Sequence, residues 1–191
     1  MTAIDATIPS DAIRVLPGEY FATNKDVAIV TVLGSCVAAC LHDAAQGIGG
    51  MNHFMLPREG NEAGPASTSA RYGVHAMEML INRLVRLGAR RAGLVAKVFG
   101  GGNVLAGITA LNVGQANAEF VTEFLRAESI PVTASDLQGT QSRKVCFFPA
   151  TGRVLVRSIQ NGQQRAIAER ESQYGAGLVA LPRGGDVEFF R

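Results

Sequence analysis

Apolar positions fall into short runs broken at Gly, Pro and Asp, and two longer stretches carry helical spacing. The strongest pattern lies between Val27 and Pro57. One run, Val27 to Leu33, ends at Gly34-Ser35-Cys36. A second, Val37 to Leu41, meets the polar turn His42-Asp43-Ala44-Ala45-Gln46-Gly47. A third, Ile48 to Leu56, carries His53 and stops at Pro57. Two apolar runs of strand length around an Asp- and Gly-containing turn predict a β-hairpin. A turn centred on Asp43 to Gln46 pairs residues whose numbers sum to 89, which sets Cys36 opposite His53. Their Cβ atoms are then about 4.5–5.5 Å apart. A bulge at Gly47 would shift the register by one. A helix over Ser35 to Gln46 competes, with Cys36, Cys40 and Ala44 on one face, Ser35 as cap and Gly47 as stop. In that geometry Cys36 sits in the first turn, where the helix dipole lowers a thiol pKa.

The rest of the pattern fills in around this hairpin. Arg14 to Ala22 reads as a short strand broken at Pro17-Gly18, after a loose leader over residues 1–13. Residues 58–70 form a polar loop long enough to act as a lid. A helix is predicted over Tyr72 to Leu87, with Met77, Leu80, Ile81 and Leu84 as its apolar stripe and Gly88 as its stop. A second runs from Val113 to Ala127, capped by Asn112, with Ala116, Phe120, Val121 and Phe124 facing the core. Leu94 to Phe99 reads as a buried strand. It leads into Gly100-Gly101-Gly102-Asn103, a tight turn that lacks the Gly-Lys-Ser/Thr of a phosphate loop. The alternative for this turn is a close approach to the active site or to a partner. Strands follow at Ile130 to Ala134, Lys144 to Phe148 and Arg153 to Ile159. Beyond Gln160 the chain turns polar, with a short helix near Arg165 to Gln173 and a weakly ordered tail from Gly175 to Arg191. The expected architecture is α+β: a layered β core of mixed sheets with two main helices packed outside. It comprises one domain over residues 14–159, the leader, and a C-terminal extension over residues 160–191.

Composition narrows the function classes. The 191 residues are 47% hydrophobic and 18% charged, with a net charge of +2. That charge is too small to argue for nucleic acid or an anionic membrane. No apolar run approaches the roughly 18 residues of a membrane span. The N-terminus has no apolar signal region, so a cytoplasmic location without membrane insertion is the expectation. Three cysteines, Cys36, Cys40 and Cys146, do not make a disulfide framework. On a strand Cys36 and Cys40 lie about 13 Å apart, too far for a disulfide or a shared metal. Cys40 and Cys146 read as small buried hydrophobes.

Cys36 is different. It follows a Gly-Ser break and faces a histidine, which is the pairing of a nucleophile and its base. The N–H groups at Ser35 and Cys36, beside Gly34, are placed to form an oxyanion hole. The bland alternative is a core cysteine and a hydrogen-bonded core histidine. His42 in the turn reads as solvated, and His75 as a surface residue. A zinc site built from Cys36, Cys40, His42 and His53 lacks the usual ligand spacing.

LGSC at 33–36, a histidine seventeen residues later within GGMNHFMLP, and Tyr72-Gly73 recur in order with FGGGN at 99–103 and NVGQAN at 112–117. DLQG at 136–139, Arg143 and TGRVLV at 151–156 complete the set. Over residues 14–159 this combination resembles the CheD family of chemoreceptor glutamine deamidases. The resemblance implies hydrolysis of receptor glutamine side chains to glutamate, with Cys36 as nucleophile and His53 as base. It further implies a catalytic threonine shortly before the cysteine, for which Thr31, five residues ahead, is the nearest candidate. It also implies a layered fold similar to cysteine deamidase toxins, no metal or organic cofactor, and a shallow open groove. The partners it implies are receptor cytoplasmic helices as substrate and a CheC-type phosphatase. Two other classes compete: a non-catalytic binding module that regulates a chemotaxis signalling partner, and a thiol redox sensor. An activated Cys36 should be alkylated faster than Cys40 or Cys146.

Overall fold

The computed structural model describes residues 8–57, 68–104, 113–159 and 161–179. The expected cap at Asn112 lies outside them, as do residues 58–67 of the loop expected over 58–70 and residues 180–191 of the expected tail; residues 68–70 instead open a helix, and residues 175–179 extend the expected short helix of 165–173. Two sheets and three long helices make up the described chain. One sheet has four strands: β1 (Ile13–Arg14), β3 (Ile29–Leu33), β8 (Arg143–Phe148) and β9 (Arg153–Ser158), in the order β1-β3-β8-β9. The other has five: β2 (Tyr20–Thr23), β4 (Val37–Asp43), β5 (Ile48–Asn52), β6 (Leu94–Gly100) and β7 (Val132–Leu137), in the order β2-β5-β4-β6-β7. Pairings within both sheets are mixed, since β1 with β3 and β6 with β7 are parallel and the others antiparallel. The helices are α1 (Thr68–Arg86), α2 (Val113–Ala127) and α3 (Asn161–Val179). The fold is the α+β arrangement the pattern predicts.

All seven residues of β4 are buried, because the strand is covered on both faces. Side chains alternate across a strand. Val37, Ala39 and Leu41 therefore join the core beneath α1 and α2, with Met77, Leu80, Ile81, Leu84, Val121 and Leu125. Cys36, Ala38 and Cys40 join the core between the two sheets, with Ile29, Leu33, Met51, Phe99, Val145 and Phe147. The four α1 stripe residues have no exposed surface, and each contributes roughly 1.5–3 kcal/mol by burial. Their spacing is what made α1 legible. On α2 the buried face is turned from the expected one: Gly114, Asn117, Ala118, Val121, Phe124 and Leu125 face inward, while Ala116 is exposed and Phe120 half-buried. A polar Asn at the centre of that face hides it from a hydrophobic pattern.

The hairpin forms with a register two residues from the expected one. Cys40 pairs with Met51 and Asp43 with Ile48, a sum of 91 rather than 89. The cause is Asp43, which stays in the strand while its Oδ1 accepts the N–H groups of Ala45 and Gln46 at 3.0 and 3.3 Å. The loop is thus the four residues 44–47. Cys36 and His53 are consequently diagonal rather than opposed neighbours. A two-residue slip keeps both on the same face, and diagonal side chains remain within reach. The helical alternative for Ser35 to Gln46 is not the one adopted. His42 is also corrected: it lies in β4 and is 7% exposed.

Candidate active site

The loop Gly34-Ser35-Cys36 joins β3 to β4, and its three carbonyls are all tied down from behind. Gly102 N–H donates to Gly34 O at 2.7 Å and Gly101 N–H to Cys36 O at 2.8 Å. Asn117 Nδ2 of α2 donates to Ser35 O at 2.8 Å, while its Oδ1 accepts the N–H of Leu56 at 2.8 Å. With the carbonyls held on one side, the N–H groups of residues 34–36 turn to the other. The glycine turn read at 100–103 therefore approaches the site closely. Arg143 supports it from below, donating to the carbonyls of Asp136, Gln138 and Gln141. Gly139 O in turn accepts the N–H of Asn103 at 2.7 Å.

His53 follows the end of β5 and is 2% exposed. Its Nδ1 is 2.8 Å from Thr31 Oγ1, which donates its own proton to Val15 O at 2.7 Å. A hydroxyl has one proton. With that proton directed at Val15 O, Thr31 accepts from Nδ1–H, and the neutral ring keeps its lone pair on Nε2. Nε2 is buried with no hydrogen-bond partner. A ring nitrogen atom of His53, Cys36 Sγ and a carboxylate oxygen of Glu171 lie within 4.8 Å of one another. The structure thus brings together Cys36, His53, Thr31, Gly34 and Ser35, all five residues singled out in the sequence. Cys40 and His42 share the face of β4 that carries Cys36 but lie further along the strand, outside this group. Cys40 is 1% exposed in the inter-sheet core, and burial pushes its thiol well above the ordinary range.

Glu171 is the residue the sequence did not suggest. It comes from α3, more than 130 residues away in the chain. Its Oε1 accepts the N–H of Gly34 at 2.8 Å and of Cys36 at 3.3 Å. Its Oε2 accepts the N–H of Ser35 at 2.6 Å and Ser35 Oγ at 2.8 Å. The three N–H groups of the loop therefore hold a side-chain carboxylate. Asn117 was also missed as a site residue, although NVGQAN stood out as a motif. Its burial follows from the groups it bonds, which the apolar spacing of α2 does not show. Cys36, His53 and Glu171 also form a group of potential metal ligands among the described residues. A zinc ion would take one atom from each, but both Glu171 oxygens here face N–H donors.

Burial, then the Glu171 charge and its hydrogen bond, push the Cys36 thiol well above its ordinary value. Burial pushes His53 down to about 4, against a partial rise from Glu171. The resting pair is accordingly a thiol beside a neutral imidazole. The His53 shift has a sign for stability. Between pH 6.5 and 4 the unfolded chain takes up a proton on this histidine and the native chain does not. Stability therefore rises with pH across that window and falls on acidification. Urea unfolding at pH 7.5 and 4.5 should show this loss in the wild type and lack it in His53→Gln. Equal losses in the two proteins would remove His53 burial as its cause.

A thiol, an imidazole held by a hydroxyl, and three convergent N–H groups are the kinds of group that acyl chemistry on a cysteine uses. The family description "CheD chemotactic sensory transduction" matches residues 55–158. The chain is 54% identical over 189 residues to the "Probable chemoreceptor glutamine deamidase CheD" of Methylobacillus flagellatus, covering 97% of this chain and 93% of that one. It is 56% identical over 187 residues to the "Probable chemoreceptor glutamine deamidase CheD 1" of Shewanella oneidensis, covering 97% and 91%. The chain belongs to the CheD family. Among solved structures, a hypothetical protein YfiH of Bacillus licheniformis aligns with a TM-score of 0.40 at 16% identity, over 63% of this chain and 51% of that one. No described helix is long and apolar enough to cross a membrane.

Proposed function

We propose that this chain is a cytoplasmic protein-glutamine deamidase that converts glutamine side chains of chemoreceptors to glutamate through a Cys36 thioester. The names carried by relatives more than half identical over nearly the whole chain support the reaction and the substrate. One observation supports the mechanism above the others: a carboxylate, the functional group of the product, rests on the N–H groups of Gly34, Ser35 and Cys36 beside the thiol.

In the proposed sequence, His53 Nε2 takes the Cys36 proton. The thiolate adds to glutamine Cδ, and the carbonyl oxygen becomes an oxyanion held by the three N–H groups. The Cδ–N bond breaks as the imidazolium gives its proton to the leaving nitrogen, which departs as ammonia. Nε2 then takes a proton from water, whose oxygen adds to the thioester carbon. The C–S bond breaks, leaving glutamate and the thiolate, which recovers its proton. Thr31 keeps the ring tautomer fixed throughout. Each cycle consumes one glutamine amide and one water and releases one glutamate and one ammonia. Family membership supports a CheC-type phosphatase as a further partner.

Incubation of a receptor cytoplasmic fragment with the protein should add about 1 Da at specific glutamines, the change on replacing NH2 by OH. A fragment that binds with its mass unchanged would favour the binding module. The redox-sensor reading is disfavoured because a buried thiol beside a carboxylate has little thiolate for an oxidant.

A further inference from the structure

α3 is polar in composition, and its buried positions form one narrow stripe. Ile167, Ala168, Glu171 and Gly175 are buried, and Tyr174 is half-buried beside them. A carboxylate thus sits at the centre of an otherwise small and apolar helix face. Burying it is costly unless it is fully hydrogen-bonded. Here three N–H groups and the Ser35 hydroxyl meet it, at 2.6 to 3.3 Å. The surface is shaped for it. A Cβ at residue 34 would lie 2.7 Å from Glu171 Oε2, so only glycine leaves that space. A Cβ at residue 18 would lie 2.4 Å from the Tyr174 hydroxyl, which is paired with the Tyr72 hydroxyl at 2.7 Å. Gly175 packs against Met55, where its Cβ would meet Sδ at 3.1 Å.

The seat is specific in shape but modest in strength. Apart from Glu171, only Ile167 and Ala168 among the described side chains of α3 are buried. Gly175 and Gly177 each weaken the helix by about 1 kcal/mol relative to alanine. Meanwhile the Glu171 oxygens occupy the donors that the substrate oxyanion needs. One set of N–H groups cannot serve both. The expected shallow open groove is thus covered in this structure, and Cys36 has no exposed surface.

Resting on the deamidase reading above, we propose that the surface over Cys36 is a helix-binding groove in which α3 lies as a product mimic. Glu171 stands where the glutamate side chain of a deamidated receptor helix would stand. A receptor helix reaches Cys36 by displacing α3, and α3 returns after release. The groove takes one helix at a time, presenting one side chain to the loop at residues 34–36. α3 therefore competes with substrate and lowers its apparent affinity by the fraction of time the groove is open.

The test uses the full chain with Glu171→Ala. A second variant, Gly175→Leu, pushes α3 outward against Met55 while Glu171 remains. Iodoacetamide labelling of Cys36, followed by peptide mass spectrometry, needs no receptor. Both variants should label at Cys36 about tenfold faster than the wild type, with Cys40 and Cys146 still protected in the intact core. Both should lower KM for a receptor cytoplasmic fragment several-fold with kcat held. Labelling and KM equal to the wild type in both variants would overturn the proposal while leaving the deamidase reading intact. Faster Cys36 labelling with no glutamine converted by any of the three proteins would uphold α3 as the occupant and remove the deamidase reading. Simultaneous labelling of all three cysteines in both variants would mean that α3 holds the core itself, and would also overturn the proposal.

Discussion

Cys36→Ala should abolish glutamine conversion, by roughly 10⁴-fold or more, in a protein that stays folded and still binds receptor helices. The large effect on turnover follows from the role of the sulfur, since no other group beside the loop at 34–36 can form the thioester. Thr31 Oγ1 donates to Val15 O, Ser35 Oγ donates to Glu171, and Cys40 and Cys146 lie elsewhere in the cores. The small effect on folding follows from the size of the change. Cys36 is a fully buried residue beside Ala38 in the inter-sheet core, and losing one sulfur costs about 1 kcal/mol. Mass spectrometry of the receptor fragment, with a urea midpoint and a binding measurement on the same sample, separates these effects. Turnover within tenfold of the wild type would take Cys36 out of the mechanism.

Gly100→Ala should be the most damaging single methyl in the described chain. Residue 100 ends β6 at φ +107, outside the range that side chains favour, and a Cβ there would lie 2.1 Å from Cys36 O. The backbone of the nucleophile must then move, or β6 must part from β4 where Val37 pairs with Gly100. Strain and overpacking together cost on the order of 3–5 kcal/mol, a fall in Tm of about 10 °C or more for a chain of this size. Gly177→Ala is the matched control. It has nothing within 4 Å of the added methyl, and helix propensity predicts a gain of about 0.5–1 kcal/mol. Thermal unfolding of the two variants should move in opposite directions. A Gly100→Ala protein as stable as the wild type would mean that the close packing of this turn on Cys36 is not needed.

Most of the framework was legible from local pattern. The α1 stripe and the runs that became β3, β4, β6, β8 and β9 follow from side-chain periodicity, which local sterics fix. The pairing of Cys36 with His53 followed from hairpin arithmetic and survived an error of two residues, because only an odd slip exchanges the faces of a strand. The identity of the turn did not follow. Whether Asp43 belongs to strand or loop depends on which N–H groups its carboxylate accepts, and that is settled in three dimensions. Thr31 is suggested only by resemblance, and its contact with His53 exists only because β3 lies beside β1 and the end of β5. In that position its hydroxyl donates to Val15 O. Asn117 and Glu171 are polar residues buried by what they bond, and no hydrophobic pattern can mark such positions. Glu171 in particular depends on a helix whose composition is that of a solvated tail. It is held not by a broad apolar face of its own but by three N–H groups that β3, β4, α2 and the turn at 100–103 had already aimed at one point. The sequence by itself determined most of the strands, two of the helices and the thiol–imidazole pair, while the single broken strand read over Arg14 to Ala22 is two strands in different sheets. The tertiary structure alone decided what occupies the space between that pair and solvent, because the donors come from one end of the chain and the acceptor from the other.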